Sequence, residues 1–424
     1  MKVKHFLPYL SIIAFFAVFF FSKASYAGEP PKLNLSGIIE EALRNNPQIQ
    51  AAKSRFEASK AKVKLLRTLQ DPRLEYEYNK IFPNMISGVT GEHMAPMRMF
   101  SVSQEIPFPT KLFLRKSAAG KEANAYDQEY NETKNKIIKE VKETYSQLFL
   151  NYKKIQIIKE DLVLLSQFIE VINKKYSVNK ANQQDSLKAQ VEYSKFSNQL
   201  VLLQQEKEII EARLNALLNR PIDAPVGGVV ESEIKDSDLN EEKIFKLAKD
   251  NRPELKSFKE IQRKSEIDYS LAKQEYLPDF MVKYTRQEDE GGMGTWSGML
   301  GVSIPLWFWE KQSSFVKEAK ANLEVADAQY RDEENMVLFE VRSALAEFNA
   351  AKKLVDIYET GVLPQAQAAV LTARRGFEAD KISFLDLLDA LRTLKDFQIE
   401  YFEARADKEI AMADLERTIG IELK

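Results

Sequence analysis

Apolar residues recur every three or four positions over unusually long stretches of this chain. Between residues 111 and 178 the run includes Ile137, Val141 and Tyr145, and it holds one glycine and no proline. This spacing predicts an amphipathic helix with a coiled-coil seam. At 1.5 Å per residue such a helix would span about 100 Å, which is too long for an ordinary globular core. Further helices are predicted at 36–69, with Ser36 as N-cap, and at 186–219, 241–276 and Phe384–Ile419.

Short strands are predicted between these helices, where apolar and polar residues alternate. In Arg73–Asn79 the residues Leu74, Tyr76 and Tyr78 alternate with charged or amide side chains. The same period of two recurs at 98–105, at 280–285 and at 298–305. Each strand therefore has one apolar face and one polar or small face. Taken alone, these strands favour an ordinary half-buried hairpin of a soluble domain.

The chain contains an internal repeat. Residues 42–47 (ALRNNP) reappear as 248–253 (AKDNRP), Pro72 corresponds to Pro278, and Asp185 to Ala189 resemble Asp386 to Ala390. The matches keep their order, and the period far exceeds the 20–50 residues of solenoid units. The sequence predicts two similar halves, 28–220 and 241–424, joined by a connector at 221–240 that is rich in proline and glycine.

The N-terminus has the features of an export signal. Lys2 and Lys4 precede a mostly apolar run, which ends at the small residues Ser25 and Ala27. This pattern predicts a signal peptide over 1–27, with an uncleaved membrane anchor as the alternative. No later segment approaches the ~20 apolar residues of a transmembrane helix, so any further entry into a membrane would require a closed barrel.

Composition excludes several classes of function. The chain has no cysteine, two histidines (His5 and His93), and nearly balanced charges of 61 basic and 63 acidic residues. Thiolate metal sites, disulfides and a lipid-modified cysteine are therefore ruled out, and no basic field would attract nucleic acid. We find no phosphate-binding glycine loop and no credible nucleophile, so we expect no enzyme and no cofactor.

Two junction motifs resemble the TolC-like outer membrane efflux proteins, closest to their heavy-metal cation branch. Residues 103–112 (SQEIPFPTKL) are similar to the strand-to-helix junction of that branch, where glycine more often precedes the lysine. Residues 214–221 (LNALLNRP) are similar to the end of the returning helix, with Asn219 where glycine is common. Asparagine tolerates the left-handed conformation that glycine supplies there.

The resemblance implies a mainly α fold with a small β part. Each duplicated half would contribute two strands and a long helical hairpin, and a homotrimer would close a 12-stranded β-barrel in outer membrane lipid. The helices would continue this barrel as a tunnel through the periplasm. The implied partners are a periplasmic adaptor (membrane fusion) protein and an inner-membrane pump, expected to be of the resistance-nodulation-division type.

The resemblance also places the hairpin tips at the periplasmic end, where an adaptor would bind. In the first half the tip includes Val178, Asn179 and Ala181, with Asp185 expected to tie neighbouring helices. In the second half it includes Ala379, Asp380 and Lys381. Asn179 and Asp380 replace glycines of the family pattern, and Ile382 replaces an arginine that some members use between helices.

Asp386 and Asp389 match paired aspartates that narrow the tunnel entrance in the family. They stand three residues apart, on one helical face. In a trimer they would form two acidic rings that attract cations and repel anions. The alternative is an ordinary solvated helix face.

Two further features are compatible with function. Met85, His93, Met94, Met97 and Met99 suit Cu(I), although packing at a barrel rim explains them as well. Trp296, Trp307 and Trp309 fit an interfacial aromatic girdle, and packing at strand ends is the alternative.

We therefore predict a passive outer-membrane channel-tunnel that conducts metal cations or small toxic compounds delivered by a pump. The outer component of a type I protein secretion system is the alternative within the same fold. A soluble periplasmic coiled-coil scaffold is a third possibility.

Overall fold

The structure is a computed structural model, and it describes residues 33–79, 97–178, 182–230, 240–289 and 294–423. The predicted signal peptide and the loop holding Met85, His93 and Met94 lie outside the described residues. The first half contains α1 (Leu35–Asn45), α2 (Pro47–Leu65), β1 (Arg73–Asn79), β2 (Met97–Ile106), α3 (Pro109–Ser177) and α4 (Gln183–Leu217). The second half contains α5 (Glu241–Asn251), α6 (Pro253–Gln274), β3 (Asp279–Asp289), β4 (Gly294–Ser303), α7 (Ser313–Ile357), α8 (Leu363–Glu378) and α9 (Phe384–Ile419).

The predicted mainly helical fold with a small β part is confirmed, as are the long helix and the returning helices. With 69 residues, α3 spans about 104 Å at 1.5 Å per residue. In the second half the equivalent path is interrupted by a π-helix at Tyr358–Val362, just before Pro364. Proline has no backbone N–H to donate, so the regular helical ladder cannot pass through it unchanged.

The single helices predicted at 36–69 and 241–276 are wrong, because each breaks before a proline. Asn46 (ψ 127°) and Arg252 (ψ 117°) lie outside the helical region, and Pro47 and Pro253 begin the next helices. A residue that precedes proline is pushed out of the helical region. The predicted N-cap Ser36 is also wrong: Asn34 occupies that position, and its side chain accepts a hydrogen bond from the Ser36 N–H.

All four strands form one antiparallel sheet in the order β1-β2-β3-β4. The two halves meet where β2 pairs with β3, with Met97 opposite Asp289 and Ile106 opposite Phe280. The side chains of Leu74, Tyr76, Trp296 and Leu300 are exposed on one face of this sheet. Among the described residues no helix is both long and apolar enough to cross a membrane.

The sheet is fastened to the helices by one buried lysine. The Lys111 side chain is almost completely buried, and its Nζ lies 3.0 Å from the Leu277 carbonyl oxygen and 3.0 Å from Asp279 Oδ1. Asp279 Oδ1 also accepts a hydrogen bond of 2.9 Å from the Phe108 N–H. Lys111 belongs to the first half and Asp279 to the second, so this ion pair also joins the halves.

The duplication extends to individual hydrogen bonds. In the first half Asn46 Nδ2 donates to the Leu217 carbonyl at 2.9 Å, and in the second half Arg252 NH1 donates to the Thr418 carbonyl at 3.3 Å. The returning helices then end in left-handed residues, Asn219 with φ 54° and Gly420 with φ 83°. The left-handed conformation expected for Asn219 is thus present. The exact boundaries at 28, 220 and 241 stay predictions.

Gly420 is expected to be essential for packing, because an added Cβ would lie 2.9 Å from the Asn251 carbonyl oxygen. Gly420→Ala should lower the free energy of unfolding by about 2 kcal/mol or more, from the left-handed backbone and the clash together. The thermal unfolding midpoint of the purified protein measures this. Gly37→Ala is the matched control, since it lies in α1 with no neighbour within 4 Å and should leave the midpoint equal or slightly higher. Equal midpoints for Gly420→Ala and wild type would contradict the proposed need for glycine at this position.

Candidate functional site

The tips of the two helical hairpins are tied to each other. Lys175, near the end of α3, places Nζ 2.5 Å from Asp380 Oδ1 and 2.9 Å from the Phe377 carbonyl oxygen. The same ammonium group lies 4.3 Å from the centre of the Phe377 ring. An ion pair, a backbone hydrogen bond and a cation–π contact thus converge on one side chain, which fixes the two tips relative to each other.

Asp380 adopts the backbone conformation for which glycine is otherwise used. Its φ is 53°, and the chain closes behind it through a hydrogen bond of 2.8 Å from the Lys381 N–H to the Gly376 carbonyl. Aspartate visits this region more readily than most residues with a Cβ. The Ile382 side chain packs on Gly376, where an added Cβ would come within 3.2 Å. The replacement of glycine by Asp380 is therefore compatible with a tight tip and supplies the partner of Lys175.

The other predicted tip residues lie nearby. Val178 is the exposed C-cap that follows α3, and Ala379 is the C-cap of α8, with its N–H bonded to the Arg375 carbonyl at 3.1 Å. Asp185 is in the first turn of α4. Asn179 and Ala181 lie outside the described residues. The adaptor contact of these positions stays a prediction.

Asp386 and Asp389 lie at the start of α9, and both side chains are exposed. The Asp386 carboxylate accepts hydrogen bonds from the Ser383 N–H at 3.1 Å and from the Ser383 hydroxyl at 2.8 Å. In return, Ser383 Oγ accepts from the Asp386 N–H at 3.2 Å. This is a capping box, so Asp386 stabilises the helix terminus as well as carrying charge. The sequence contained the signal, a serine three residues before an acidic residue, and our sequence reading missed it.

A salt bridge that the sequence reading also missed lies just beyond these aspartates. Arg392 on α9 makes a two-pronged contact with Glu192 on α4, including a hydrogen bond of 2.8 Å from Nε to Oε1. Glu192 is only 4% exposed. The hydrogen bond from Arg392 holds the pKa of Glu192 below its ordinary value despite this burial. The pair therefore joins α4 to α9, and the Glu192 carboxylate stays ionised.

The carboxyl group of Asp161, on α3, has its pKa shifted in the opposite direction. Burial raises the pKa of Asp161 to about 6, against the attraction of Lys395, while Glu160 and Asp396 raise it further. Asp161 Oδ2 is buried without a hydrogen-bond partner. Its charged form is therefore poorly solvated at neutral pH. No group of three or more histidine, aspartate or glutamate side chains suited to a metal ion occurs among the described residues.

The fold is that of the outer-membrane channels. The chain superimposes on CusC, described as forming a transmembrane channel, with a TM-score of 0.78 and 18% identity over 95% of each chain. It superimposes on the outer membrane protein VceC of Vibrio cholerae with a TM-score of 0.80 and 16% identity, covering 92% of this chain and 97% of VceC.

A sequence model of the outer membrane efflux protein family matches residues 38–220 and 244–421. The chain belongs to this family, and its place is the outer membrane. The predicted family and location are thereby confirmed, whereas the heavy-metal branch stays a prediction.

Among characterised relatives, the outer membrane protein TolC of Vibrio cholerae is 21% identical over 407 residues, covering 91% of this chain and 90% of that protein. The alkaline protease secretion protein AprF of Pseudomonas aeruginosa is 20% identical over 402 residues, covering 90% and 83%. The cobalt-zinc-cadmium resistance protein CzcC of Cupriavidus metallidurans is 27% identical over 122 residues, which is 29% of each chain.

Removal of the Asp161 charge should stabilise the protein at neutral pH. The folded pKa of Asp161 is raised from 3.8 to about 6, so loss of its proton opposes folding: the cost is absent below about pH 4, grows between about pH 4 and pH 6, and is complete above about pH 6. Asp161→Asn should therefore raise the free energy of unfolding at pH 7.5 by on the order of 1–2 kcal/mol, allowing for solvent screening, and this gain should fall towards zero at about pH 4. Thermal unfolding at the two pH values measures this. Asp185→Asn is the control: Asp185 lies in the first turn of α4, where a negative charge favours the helix, so this change should not raise the free energy of unfolding at pH 7.5.

Proposed function

We propose that the protein is a passive outer-membrane conduit that works as a homotrimer. The observation that carries this proposal is the junction of a four-stranded sheet with helical hairpins about 100 Å long. Among the described strands β1 and β4 each have one neighbour, so both outer edges of this sheet carry backbone groups that no described strand pairs with. Three copies joined edge to edge would satisfy these groups in a 12-stranded barrel, as lipid requires.

The exposed apolar face of the sheet supports the same arrangement. Leu74, Trp296 and Leu300 are each at least three-quarters exposed in the protomer. Such a face would be costly in water and favourable against lipid tails. Trp296 near one end of β4 and Trp307 and Trp309 beyond the other fit the two membrane interfaces.

The conduit is passive, so the energy for export would come from a partner protein. The hairpin tips would bind a periplasmic adaptor, and the adaptor would join the tunnel to an inner-membrane pump, which we propose to be of the resistance-nodulation-division type. The exposed Val178 and the turn at Ala379, Asp380 and Lys381 are available for this contact.

We propose that the cargo is a metal cation. Two rings formed by Asp386 and Asp389 would place six carboxylates at the periplasmic entrance of a trimer, where they attract cations. The local similarity to the cobalt-zinc-cadmium resistance protein CzcC supports the same class of cargo.

The acidic rings can be tested by conductance. Asp386→Asn combined with Asp389→Asn should raise the single-channel conductance of the purified trimer in planar bilayers and weaken its block by multivalent cations by about tenfold. Removing the charges takes away the field that holds a cation at the entrance, and asparagine keeps an acceptor for the Ser383 cap.

Ser383→Ala is the matched control, because it removes the capping hydroxyl and leaves both carboxylates in place. It should retain wild-type block by multivalent cations. Wild-type conductance and block in the aspartate double variant would exclude the proposed entrance.

The cargo itself can be tested in cells. A deletion strain should be more sensitive to copper, zinc, cobalt or cadmium than its parent, and the plasmid-borne gene should restore growth. Equal growth under all four metals would reject the cation proposal but not the channel.

Protein secretion is the second candidate, favoured by the similarity to AprF along nearly the whole chain. Loss of an extracellular protein from the deletion strain, with unchanged metal tolerance, would support it instead.

A further inference from the structure

The four-stranded sheet separates its side chains onto two chemically different faces. The register places Leu74 beside Val102 and Tyr76 beside Phe100, and the last two rings are 4.8 Å apart on what we call the apolar face. The polar face carries Glu75, Ser101 and Lys283, with Lys283 Nζ 3.0 Å from Glu75 Oε2. Directly paired residues of neighbouring strands share a face, so every other position can be assigned in the same way.

All four methionines of the sheet fall on the polar face. Met97 pairs with Asn79, Met99 with Glu77, Met281 with Glu105 and Met299 with Lys283. By the same register, no leucine, isoleucine, valine or aromatic residue of the described strands lies on this face. General hydrophobicity therefore does not explain these positions. What distinguishes methionine from the excluded residues is its thioether sulfur, a soft and polarisable ligand atom.

The four thioethers form two pairs at different heights of the sheet. Met97 and Met99 are two residues apart on one strand, about 7 Å along it. Met281 pairs with Gly301, and Met299 lies two residues from that glycine, so Met281 and Met299 are diagonal neighbours about 7–8 Å apart. An added Cβ on Gly301 would lie 3.3 Å from Met281 Cε, so the glycine leaves room for the Met281 side chain to lie across the strand.

In each pair of methionines, one member has a carboxylate directly opposite it on the neighbouring strand. Glu77 faces Met99 and Glu105 faces Met281. The polar face also carries the cations Lys283 and Arg73, and Lys283 is already paired with Glu75. A thioether next to an acidic group favours a soft cation of low charge over a hard divalent ion, which prefers oxygen ligands alone.

We propose that the polar face of the sheet binds soft monovalent cations, Cu(I) and Ag(I), at its two methionine pairs. This inference rests on the proposed function, because only the closed trimer makes the polar face a lumen. Three copies of each pair would then surround the exit path at two heights. Several weak sites in series let an ion enter and leave, which conduction requires.

Ag(I) is the probe, since it has the thioether preference of Cu(I) without its redox chemistry. The double variants Met97→Leu with Met99→Leu and Met281→Leu with Met299→Leu, and the quadruple variant, remove the sulfur atoms at nearly constant volume. Equilibrium dialysis of the purified full-length trimer should show fewer bound Ag(I) ions in each double variant. The quadruple variant should bind Ag(I) at least about tenfold more weakly than wild type.

Met336→Leu is the matched control, because Met336 is an exposed methionine on α7, outside the sheet. It should bind Ag(I) as wild type does, and a hundredfold excess of Zn(II) should not displace the ion. Wild-type binding by the quadruple variant, or displacement by Zn(II), would overturn the inference.

Conductance of the same preparations separates this inference from the proposed function. In silver-free electrolyte every variant that forms the trimer should carry a current, and micromolar Ag(I) should reduce only the currents of proteins that retain the methionine pairs. A trimer that conducts and binds no Ag(I) overturns the methionine sites and leaves the channel intact. A protein that does not conduct overturns the channel, while the dialysis result still decides whether the methionines bind silver.

Discussion

The contact of the Lys111 ammonium group with Asp279 and the Leu277 carbonyl fixes how the sheet meets the helices. It lies where β2 passes into α3 and where α6 passes into β3, so it sets the direction in which these two helices leave the sheet. A buried charge is tolerated only when it is paired and hydrogen-bonded, and loss of one partner typically costs about 3–5 kcal/mol. The register of β2 with β3, and hence the separation of the sheet's two faces, depends on this junction.

At the opposite end, the hairpins of the two halves are also joined by ion pairs. Lys175 with Asp380 and Arg392 with Glu192 are ion pairs between the two halves, and they lie among apolar side chains such as Phe377 and Phe384. The apolar contacts hold the helices together, whereas the charged pairs specify which turn of one helix faces which turn of another. The exposed aspartates at the start of α9 therefore stand on a helix whose position is fixed. A ring of charges needs such a fixed support.

Much of the fold could be predicted because local periodicity determines it. The bounds of β1 and α9 follow from alternation and from helical spacing, and the left-handed Asn219 follows from its place at a helix end. The helix breaks at Pro47 and Pro253 could also have been predicted, since proline disfavours the helical conformation at the residue before it. The pairing of Arg392 with Glu192, 200 residues away in the chain, could not be predicted from the sequence, because no local pattern relates the two positions. The segregation of the methionines to one face likewise became visible only when the register of four strands was known.

The π-helix at Tyr358–Val362 has a consequence for how the two halves diverged in length. A turn closed by a bond from residue i to i+5 holds one residue more than an α-helical turn, so it can absorb an inserted residue locally. In a regular helix the same insertion would rotate every later side chain by about 100° and turn the apolar seam away from its partner. One duplicated half could thus gain a residue in mid-helix while the helix beyond it kept its orientation in the tube.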